Sequence, residues 1–242
     1  MNEHSVVVKD LARRFGDFVA VDRISFEVRT GEIFGLLGAN GAGKTTTIRM
    51  LAGLLRPSSG GGTVGGWDIN RHFENIKKNI GYMSQRFSLY NDLTVKENLQ
   101  FFGGVYGLDR ARVEERTAEL NDALGLGEWL DRRTASLPLG FKQRLALGAA
   151  ILHKPAIIFL DEPTSGVDPI ARRRFWELIN GLAADGVTVI VTTHYMDEAE
   201  YCNRLCVMHA AKIVSLGSPA ELKERHGTHS IEDVFIELVR GV

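Results

Sequence analysis

A glycine-rich stretch followed by a lysine and a threonine carries the clearest chemistry in the sequence. Residues 38–45 read G-A-N-G-A-G-K-T and match the pattern G-x-x-x-x-G-K-[ST] in full. Glycine has no Cβ, so such a backbone can wrap closely around a phosphate, and the N-terminus of the following helix adds positive potential. We expect Lys44 to contact the β- and γ-phosphates of a nucleotide and the Thr45 hydroxyl to ligate Mg²⁺. The residues predicted to contact the nucleotide in this loop are Gly38, Asn40, Gly41, Ala42, Gly43, Lys44, Thr45 and Thr46.

A pair of carboxylates at the end of an apolar run is a second candidate element of the same site. Residues 156–160 are continuously apolar, which is typical of a buried strand, and Asp161 and Glu162 follow directly. Taken alone the pair has little weight, because many buried strands end in a carboxylate. Beside a phosphate loop, it predicts that Asp161 holds Mg²⁺ through water. Glu162 points to the other side of an extended segment and is a candidate general base for an attacking water.

Short apolar runs that alternate with helical patterns must position these residues. The runs predicted as strands are 5–8, 20–28, 32–37, 80–83, 156–160, 187–192 and 204–208. The glycine-rich residues 58–66 are expected to form a loop, and 204–208 to be the last strand, with two short helices after it. Asp168 is a candidate N-cap for a helix that begins at Pro169. This alternation favours an α/β fold with a mostly parallel sheet covered on both faces.

In the middle of the chain, the spacing of the hydrophobic residues is helical throughout, with no strand-like run. Thr94 and Glu97 have the spacing of a capping box at the start of one helix. Asp109 is a candidate N-cap for a second helix, which Gly125 would end. A third helix is expected over residues 140–152. We therefore predict that an all-helical segment interrupts the α/β core.

The composition is that of an ordinary globular protein. The 242 residues are 44% hydrophobic and 24% charged, which excludes disorder over the whole length. A formal net charge of −1 gives no electrostatic case for binding nucleic acid. No apolar run reaches the length of a membrane span, and the first residues have no signal-peptide core. The sequence has only two cysteines, Cys202 and Cys206, which argues against a disulfide framework and against a cysteine zinc site. We therefore expect two reduced thiols in a cytosolic chain.

With these motifs in this order, the chain resembles the ATP-binding cassette family, the nucleotide-binding subunits of ABC transporters, over nearly its whole length. The resemblance implies a P-loop NTPase (RecA-like) core with a mostly parallel sheet, an N-terminal antiparallel β part and an inserted all-helical subdomain. It implies a single domain over residues 1–242, with the α/β core in 1–86 and 153–242 and the helical subdomain in 87–152. The cofactors it implies are ATP and Mg²⁺.

The resemblance also assigns roles to residues outside those two motifs. Phe15 takes the position of the aromatic platform for adenine. Gln85 matches a glutamine that touches Mg²⁺ or water and links the helical segment to the core. Asp168 lies in the segment that crosses the dimer interface, and His194 matches a histidine that contacts the γ-phosphate and holds the attacking water. Without the family, Phe15 would be a core residue, Asp168 only a helix cap and His194 an ordinary loop histidine.

One segment departs from the family pattern. The family signature, L-S-G-G-Q, donates to the γ-phosphate held by the opposite subunit, and the matching residues here are Leu137, Pro138, Leu139 and Gly140. Pro138 removes a hydroxyl and a backbone N–H, and Leu139 adds a bulky side chain where a glycine is usual. Leu137 and Gly140 remain candidate contacts to the nucleotide, with the helix N-terminus behind them. Two interpretations stay open: the segment is a working variant, or the chain is one half of an asymmetric pair whose partner has an intact signature.

Several segments resemble the ATP-binding proteins of ABC-2 type exporters, closest to the multidrug and daunorubicin-resistance-like lineage. They are residues 85–90, the signature segment, residues 194–200 and residues 230–235. The resemblance implies an ATPase that drives export by ATP-driven dimerisation, as a homodimer or heterodimer, with a separate integral membrane permease of the ABC-2 type. Phe87, Leu89 and Tyr90 are candidates for the surface where that permease docks, and they also suit packing within the helical segment.

That permease would hold the chain on the cytoplasmic face of the inner (cell) membrane, without a span of its own. Two other functions are alternatives. A non-transport ABC switch, of the kind found in DNA repair or on the ribosome, has no support from the net charge, a coiled coil, a zinc module or a charged linker. A degenerate regulatory subunit that binds ATP without useful turnover agrees with the altered signature but not with the intact Glu162.

Overall fold

Two β-sheets, nine α-helices and two short 3-10 helices are present in the computed structural model, which describes residues 3–85 and 88–240. The strands, in chain order, are β1 His4–Phe15, β2 Phe18–Arg29, β3 Ile33–Leu37, β4 Ser59–Val64, β5 Trp67–Asp68, β6 Ile80–Met83, β7 Ile157–Asp161, β8 Thr188–Thr193, β9 Arg204–His209 and β10 Lys212–Gly217. The helices are α1 Lys44–Leu51, α2 Phe73–Asn79, α3 Val95–Val105, α4 Arg110–Leu124, α5 Leu139–Ile151, α6 Pro169–Ala184, α7 Met196–Ala199, α8 Pro219–His226 and α9 Ile231–Arg240.

The larger sheet has six strands in the order β10-β9-β3-β8-β7-β6. All neighbouring strands in it pair in parallel except β9 and β10, which are antiparallel. The smaller sheet has the order β2-β1-β4-β5 and is antiparallel throughout. The predicted fold class is confirmed: an α/β core with a mostly parallel sheet, an N-terminal antiparallel β part and helices between β6 and β7.

The hydrophobic core lies on both faces of the six-stranded sheet, because successive residues of its central strands belong to different clusters. In β8, Val189 and Val191 belong to one cluster and Ile190 to the other. In β7, Leu160 belongs to the first cluster and Phe159 to the second. Burial on both faces explains why these strands are continuous apolar runs rather than alternating ones.

All the described elements between β6 and β7 are helical, and their ends have the predicted caps. Thr94 and Glu97 form a full capping box at the start of α3. Asp109 accepts from the Arg112 N–H at the start of α4, and Gly125 ends that helix with φ of 59°. Residues 86 and 87, at the predicted boundary of a helical subdomain, lie outside the described residues. None of the helices in the described part of the chain combines the length and the apolar character that a membrane span requires.

The prediction of a loop over residues 58–66 was wrong, because most of that stretch forms β4 and pairs with β1. The two strands approach so closely that a Cβ at Gly62 would lie 2.1 Å from the carbonyl oxygen of Val7. Glycine is therefore required at this position. The same glycines lack the β-branched side chains that make a strand visible in a sequence, so the pairing partner rather than local propensity forms β4.

The prediction that 204–208 is the last strand was also wrong, because β10 follows and forms a hairpin with β9. Ala210 and Ala211, at the turn, have φ of 44° and 67°. Asn and Gly usually supply this conformation in a two-residue hairpin turn, so two alanines give no turn signal. The Asp22 N–H donates to the carbonyl oxygen of Ala211 at 2.8 Å and holds the turn against β2.

Candidate active site

The phosphate loop connects β3 to α1 and packs tightly against neighbouring backbone. A Cβ at Gly38 would lie 2.4 Å from the carbonyl oxygen of Met208, and one at Gly43 would lie 2.6 Å from that of Ala20. Gly43 also has φ of 104°, which residues with a side chain rarely adopt. Its position at the N-cap of α1 brings no side-chain hydrogen bond to the helix. The glycines therefore let the loop pass close to the sheet and place the first turn of α1 at its end.

Lys44 turns its ammonium group back over its own loop. Nζ donates to the carbonyl oxygens of Gly38 at 2.7 Å and Ala39 at 3.2 Å. It also lies 3.4 Å from Glu162 Oε1. Burial lowers the pKa of Lys44, and the opposite charge of Glu162 acts against that shift. The ammonium therefore stands where the phosphate loop meets the Glu162 carboxylate.

Asp161 is fully buried at the carboxyl end of β7. Its Oδ1 accepts from the hydroxyls of Thr45 and Thr192, each at 2.8 Å. Its Oδ2 has no hydrogen-bond partner among the described residues, and burial raises the pKa of the carboxyl group. In the described part of the chain, no cluster of three or more His, Cys, Asp or Glu could hold a metal ion. The free carboxylate oxygen beside a threonine hydroxyl fits Mg²⁺, which takes one or two protein oxygens together with waters and substrate phosphates.

Glu162 is the residue at which the other predicted polar side chains meet. Its Oε2 accepts from Gln85 Nε2 at 3.0 Å and lies 3.2 Å from His194 Nδ1. Its backbone has φ of 48° and is held by a hydrogen bond from its N–H to Thr192 Oγ1 at 2.8 Å. This conformation is unfavourable for a residue with a side chain, so the surrounding contacts must hold Glu162 in place. The predicted site residues that the structure brings together are Lys44, Thr45, Gln85, Asp161, Glu162 and His194.

A cavity of about 300 Å³ adjoins these residues. Its described lining consists of Phe18, Ala20, residues 40–46, Gln85 and Glu162. Phe18 lines the cavity and was not predicted from the sequence as a site residue; it is 63% exposed. Its position three residues after Phe15, ahead of a phosphate loop, is the signal that could have found it.

Phe15 is not among the described residues that line this cavity. Its ring is 47% exposed, so the interpretation of Phe15 as a core residue is wrong. The Arg13 guanidinium lies 4.5 Å from the centroid of the ring. The role of Phe15 as a platform for adenine stays a prediction, and Phe18 is a second candidate for it.

Asp168 lies at the N-terminus of α6, outside the described lining of the cavity. Its Oδ1 accepts from the N–H groups of Ile170 and Ala171, each at 3.0 Å. The predicted helix cap, with Pro169 in the first turn, is therefore confirmed. A further role at a dimer interface stays a prediction.

The signature segment lies at the N-terminus of α5, also outside the described lining of the cavity. Pro138 occupies the N-cap position of the helix, and its side chain makes no hydrogen bond to the helix N–H groups. Leu137 is buried, whereas Leu139 is exposed. The Cδ2 atom of Leu139 lies 3.5 Å from the position that a Cβ on Gly166 would take. The contacts of Leu137 and Gly140 with a nucleotide stay predictions.

Known proteins resemble this chain over most of its length. The family model described as ABC transporter matches residues 21–165. The chain is 48% identical over 242 residues to the probable multidrug ABC transporter ATP-binding protein YbhF of Escherichia coli K12, covering 98% of this chain and 42% of YbhF. It is 35% identical over 244 residues to the ABC transporter ATP-binding protein NatA of Bacillus subtilis, covering 98% and 99% of the two chains.

The fold comparison gives the same class. A solved structure of the ATP-binding subunit of an ABC transporter has a TM-score of 0.86 and 30% identity, covering 96% of this chain and 98% of that one. The chain therefore belongs to the ABC transporter family. It spans less than half the length of YbhF.

Proposed function

We propose that this chain hydrolyses Mg·ATP as the motor subunit of an ABC exporter and works with a separate integral membrane permease of the ABC-2 type. The observation that carries the proposal is the approach of Lys44, Gln85 and His194 to the Glu162 carboxylate beside the phosphate loop. Export is supported by the names of relatives, which are a probable multidrug transporter protein, a linearmycin resistance protein and Nod factor export proteins.

In the proposed mechanism, Glu162 orients and deprotonates the water that attacks the γ-phosphate. His194, whose Nδ1 lies 3.2 Å from the same carboxylate, contacts the γ-phosphate and helps to hold that water. Lys44 places its charge on the β- and γ-phosphates, and its burial strengthens that interaction because the local dielectric is low. Phosphoryl transfer depends on positioning and charge stabilisation, which are what these groups offer.

Thr45, Asp161 and Gln85 are the proposed ligands of Mg²⁺, directly or through water. When bound, the ion neutralises charge on the phosphate oxygens. The buried Oδ2 of Asp161 supports this assignment, because a buried acceptor without a donor is rare and unfavourable.

The proposal includes a dimer that closes on two ATP molecules, with the signature segment of each subunit against the nucleotide of the other. Leu137, Gly140 and the N-terminus of α5 are the proposed contacts across the interface, and Asp168 lies in the segment that crosses it. Gly140 lies in the first turn of α5 and adds no side chain beside the helix N-terminus, which supports the interpretation of this segment as a working variant.

The proposed docking surface for the permease is an exposed aromatic pair in the helical segment. The rings of Tyr90 and Phe101 are 4.6 Å apart, and both are exposed. Leu89, by contrast, is partly buried and packs against the core, and Phe87 lies outside the described residues. Docking there would keep the chain on the cytoplasmic face of the membrane.

ATP turnover by the isolated chain tests the enzymatic part of the proposal. Glu162→Gln keeps the shape of the side chain but removes the base, so we expect kcat to fall by about 10²–10⁴ while ATP binding is retained. Glu232→Gln, on the exposed face of α9, is the matched control and should leave kcat unchanged. Tight ATP binding by the wild-type chain without turnover would contradict the proposal and favour a regulatory subunit.

A further inference from the structure

A fully buried carboxylate joins the two loops that carry Glu162 and His194. One oxygen of Glu198 accepts from the Thr193 hydroxyl at 2.6 Å, and the other accepts from the Thr164 hydroxyl. Thr164 comes two residues after Glu162, and Thr193 immediately precedes His194. The loop after β7 and the last residue of β8, which directly precedes the loop that carries His194, are therefore hydrogen-bonded to the same side chain.

The surroundings of Glu198, which lies on α7, complete this network. Arg172 on α6 is 3.6 Å from the Glu198 carboxylate and 3.2 Å from that of Asp197. Its guanidinium also lies 4.0 Å from the centroid of the Tyr195 ring. The Tyr195 N–H donates to Thr193 Oγ1 at 3.0 Å. A buried charge with a cation and two hydroxyl donors is tolerated, but such an arrangement rarely adds net stability over apolar packing.

We propose that Glu198 is a positioning residue that fixes the separation of the two loops, so that Glu162 and His194 act on the same water. This inference rests on the proposed function. His194 and Glu162 follow two separate strands, and their side chains approach to 3.2 Å between Nδ1 and Oε2. Glu162 has φ of 48°, a conformation that a residue with a side chain does not favour, so contacts with the rest of the structure must hold its loop in this position. Hydrogen bonds in a buried network of low dielectric are strong, and a misplacement of 1 Å at a reacting group can lower a rate about 10²-fold.

Glu198→Gln tests the proposal directly. The amide nitrogen can only donate, so one threonine hydroxyl must turn from donor to acceptor, and the variant also loses the negative charge that holds both hydroxyls and Arg172. Both connections are therefore weakened while the size of the side chain is kept. We expect kcat for ATP to fall about tenfold or more, with KM for ATP within about twofold, because the phosphate loop is not touched. Glu200→Gln is the matched control, since Glu200 makes an ion pair with Lys223 at the surface and should change neither kcat nor KM.

Threonine variants separate positioning from general loss of structure. Thr164→Val and Thr193→Val each remove one hydroxyl at nearly constant shape, and we expect each to lower kcat. Thr164→Ser and Thr193→Ser keep the hydroxyl and should restore kcat to within about twofold of wild type. Because the two hydroxyls connect the loops only together, through Glu198, the loss of either one breaks the connection, and the double valine variant should lose no more activity than the more impaired single valine variant. Independent, multiplicative losses would overturn the inference.

Hydrogen exchange provides a measurement that does not need ATP turnover. In Glu198→Gln, amide exchange should accelerate in both residues 162–168 and residues 193–196, and stay unchanged in β1 and β2. A wild-type chain without ATPase activity would contradict the proposed function, while this exchange result would still decide whether Glu198 joins the loops. Wild-type kcat in Glu198→Gln, or faster exchange in only one loop, would overturn the inference.

Discussion

Phe18 and Phe15 present two exposed rings at the turn between β1 and β2, and of the two only Phe18 lines the cavity. Stacking of a base on an aromatic ring contributes about 1–3 kcal/mol. We therefore expect Phe18→Ala to raise KM for ATP about tenfold, with kcat unchanged, in steady-state kinetics. Phe15→Ala is the parallel variant. If it alone raised KM, the adenine would stack where the family resemblance places it, and the assignment to Phe18 would be wrong.

The buried side chain of His153 should make the folding stability of the chain depend on pH. Its ring stacks on Tyr106 at 3.6 Å, Nε2 lies 3.1 Å from the carbonyl oxygen of Ile80, and the buried Nδ1 has no partner among the described residues. Burial lowers the pKa of His153 from 6.5 to about 4. The unfolded chain therefore binds a proton that the folded chain refuses, and stability is lost as the pH falls from about 6.5 towards 4.

The measurement is the free energy of unfolding in urea at pH 7.5 and pH 5. The wild type should lose about 1–2 kcal/mol more between these pH values than His153→Gln, which has no group to protonate there. His229→Gln, at an exposed position, is the control and should lose as much as the wild type. Equal losses in wild type and His153→Gln would show that another group causes the acid sensitivity.

The residues of the site differ in how far the sequence could predict them. Lys44, Asp161 and Glu162 lie in contiguous motifs, because a phosphate loop and a carboxylate at a strand end are local features. Thr192 and Glu198 were not predicted as part of the site. Their contacts depend on which strands become neighbours, and no spacing along the chain contains that information.

At the scale of elements, two neighbouring glycines in α3 should respond in opposite ways to the same substitution. A Cβ at Gly103 would lie 2.2 Å from Val113 Cγ2, where α3 packs on α4. Around Gly104, no described atom lies within 4 Å of that position. Gly104→Ala should therefore stabilise the fold by about 0.5–1 kcal/mol through helix propensity, whereas Gly103→Ala should destabilise it by about 1–3 kcal/mol through overpacking.

Urea denaturation of the two variants, with circular dichroism as the probe, measures both changes in the same helix. Each variant is the control for the other, because the gain in helix propensity is common to both. Stabilisation by Gly103→Ala would mean that α3 can move away from α4 without loss, and that the helical segment is loosely packed.

The sequence predicted the helices of that segment better than the strands around it. Thr94, Asp109 and Gly125 act through bonds to their own helix ends, which local sequence determines. The strand β4 depends on a close approach to β1 that only glycine allows, and β10 follows an Ala-Ala turn held by the Asp22 N–H. Both are contacts between distant parts of the chain, so no local pattern revealed them.

At the scale of the whole molecule, the central question is whether two copies of this chain can close around ATP. We expect Glu162→Gln with saturating Mg·ATP to form a homodimer in light scattering, because one chain contains both the phosphate loop and a signature segment at the N-terminus of α5. Lys44→Ala in the same background is the control and should stay monomeric, since the charge that binds the phosphates is gone. A Glu162→Gln protein that binds ATP tightly but remains monomeric would require a partner with an intact signature.

The position of β3 has a consequence for how the chain folds during synthesis. This strand leads into the phosphate loop, yet its sheet neighbours are β8 and β9, which come near the end of the chain. The antiparallel pair β1 and β2, by contrast, can form as soon as Arg29 has been synthesised, because its strands are neighbours along the chain. At about 5–20 residues per second, β3 waits without a partner for many seconds, and long-range parallel pairing is intrinsically slow. Truncated chains that end before β8 should therefore contain the whole phosphate-loop motif and still bind no nucleotide.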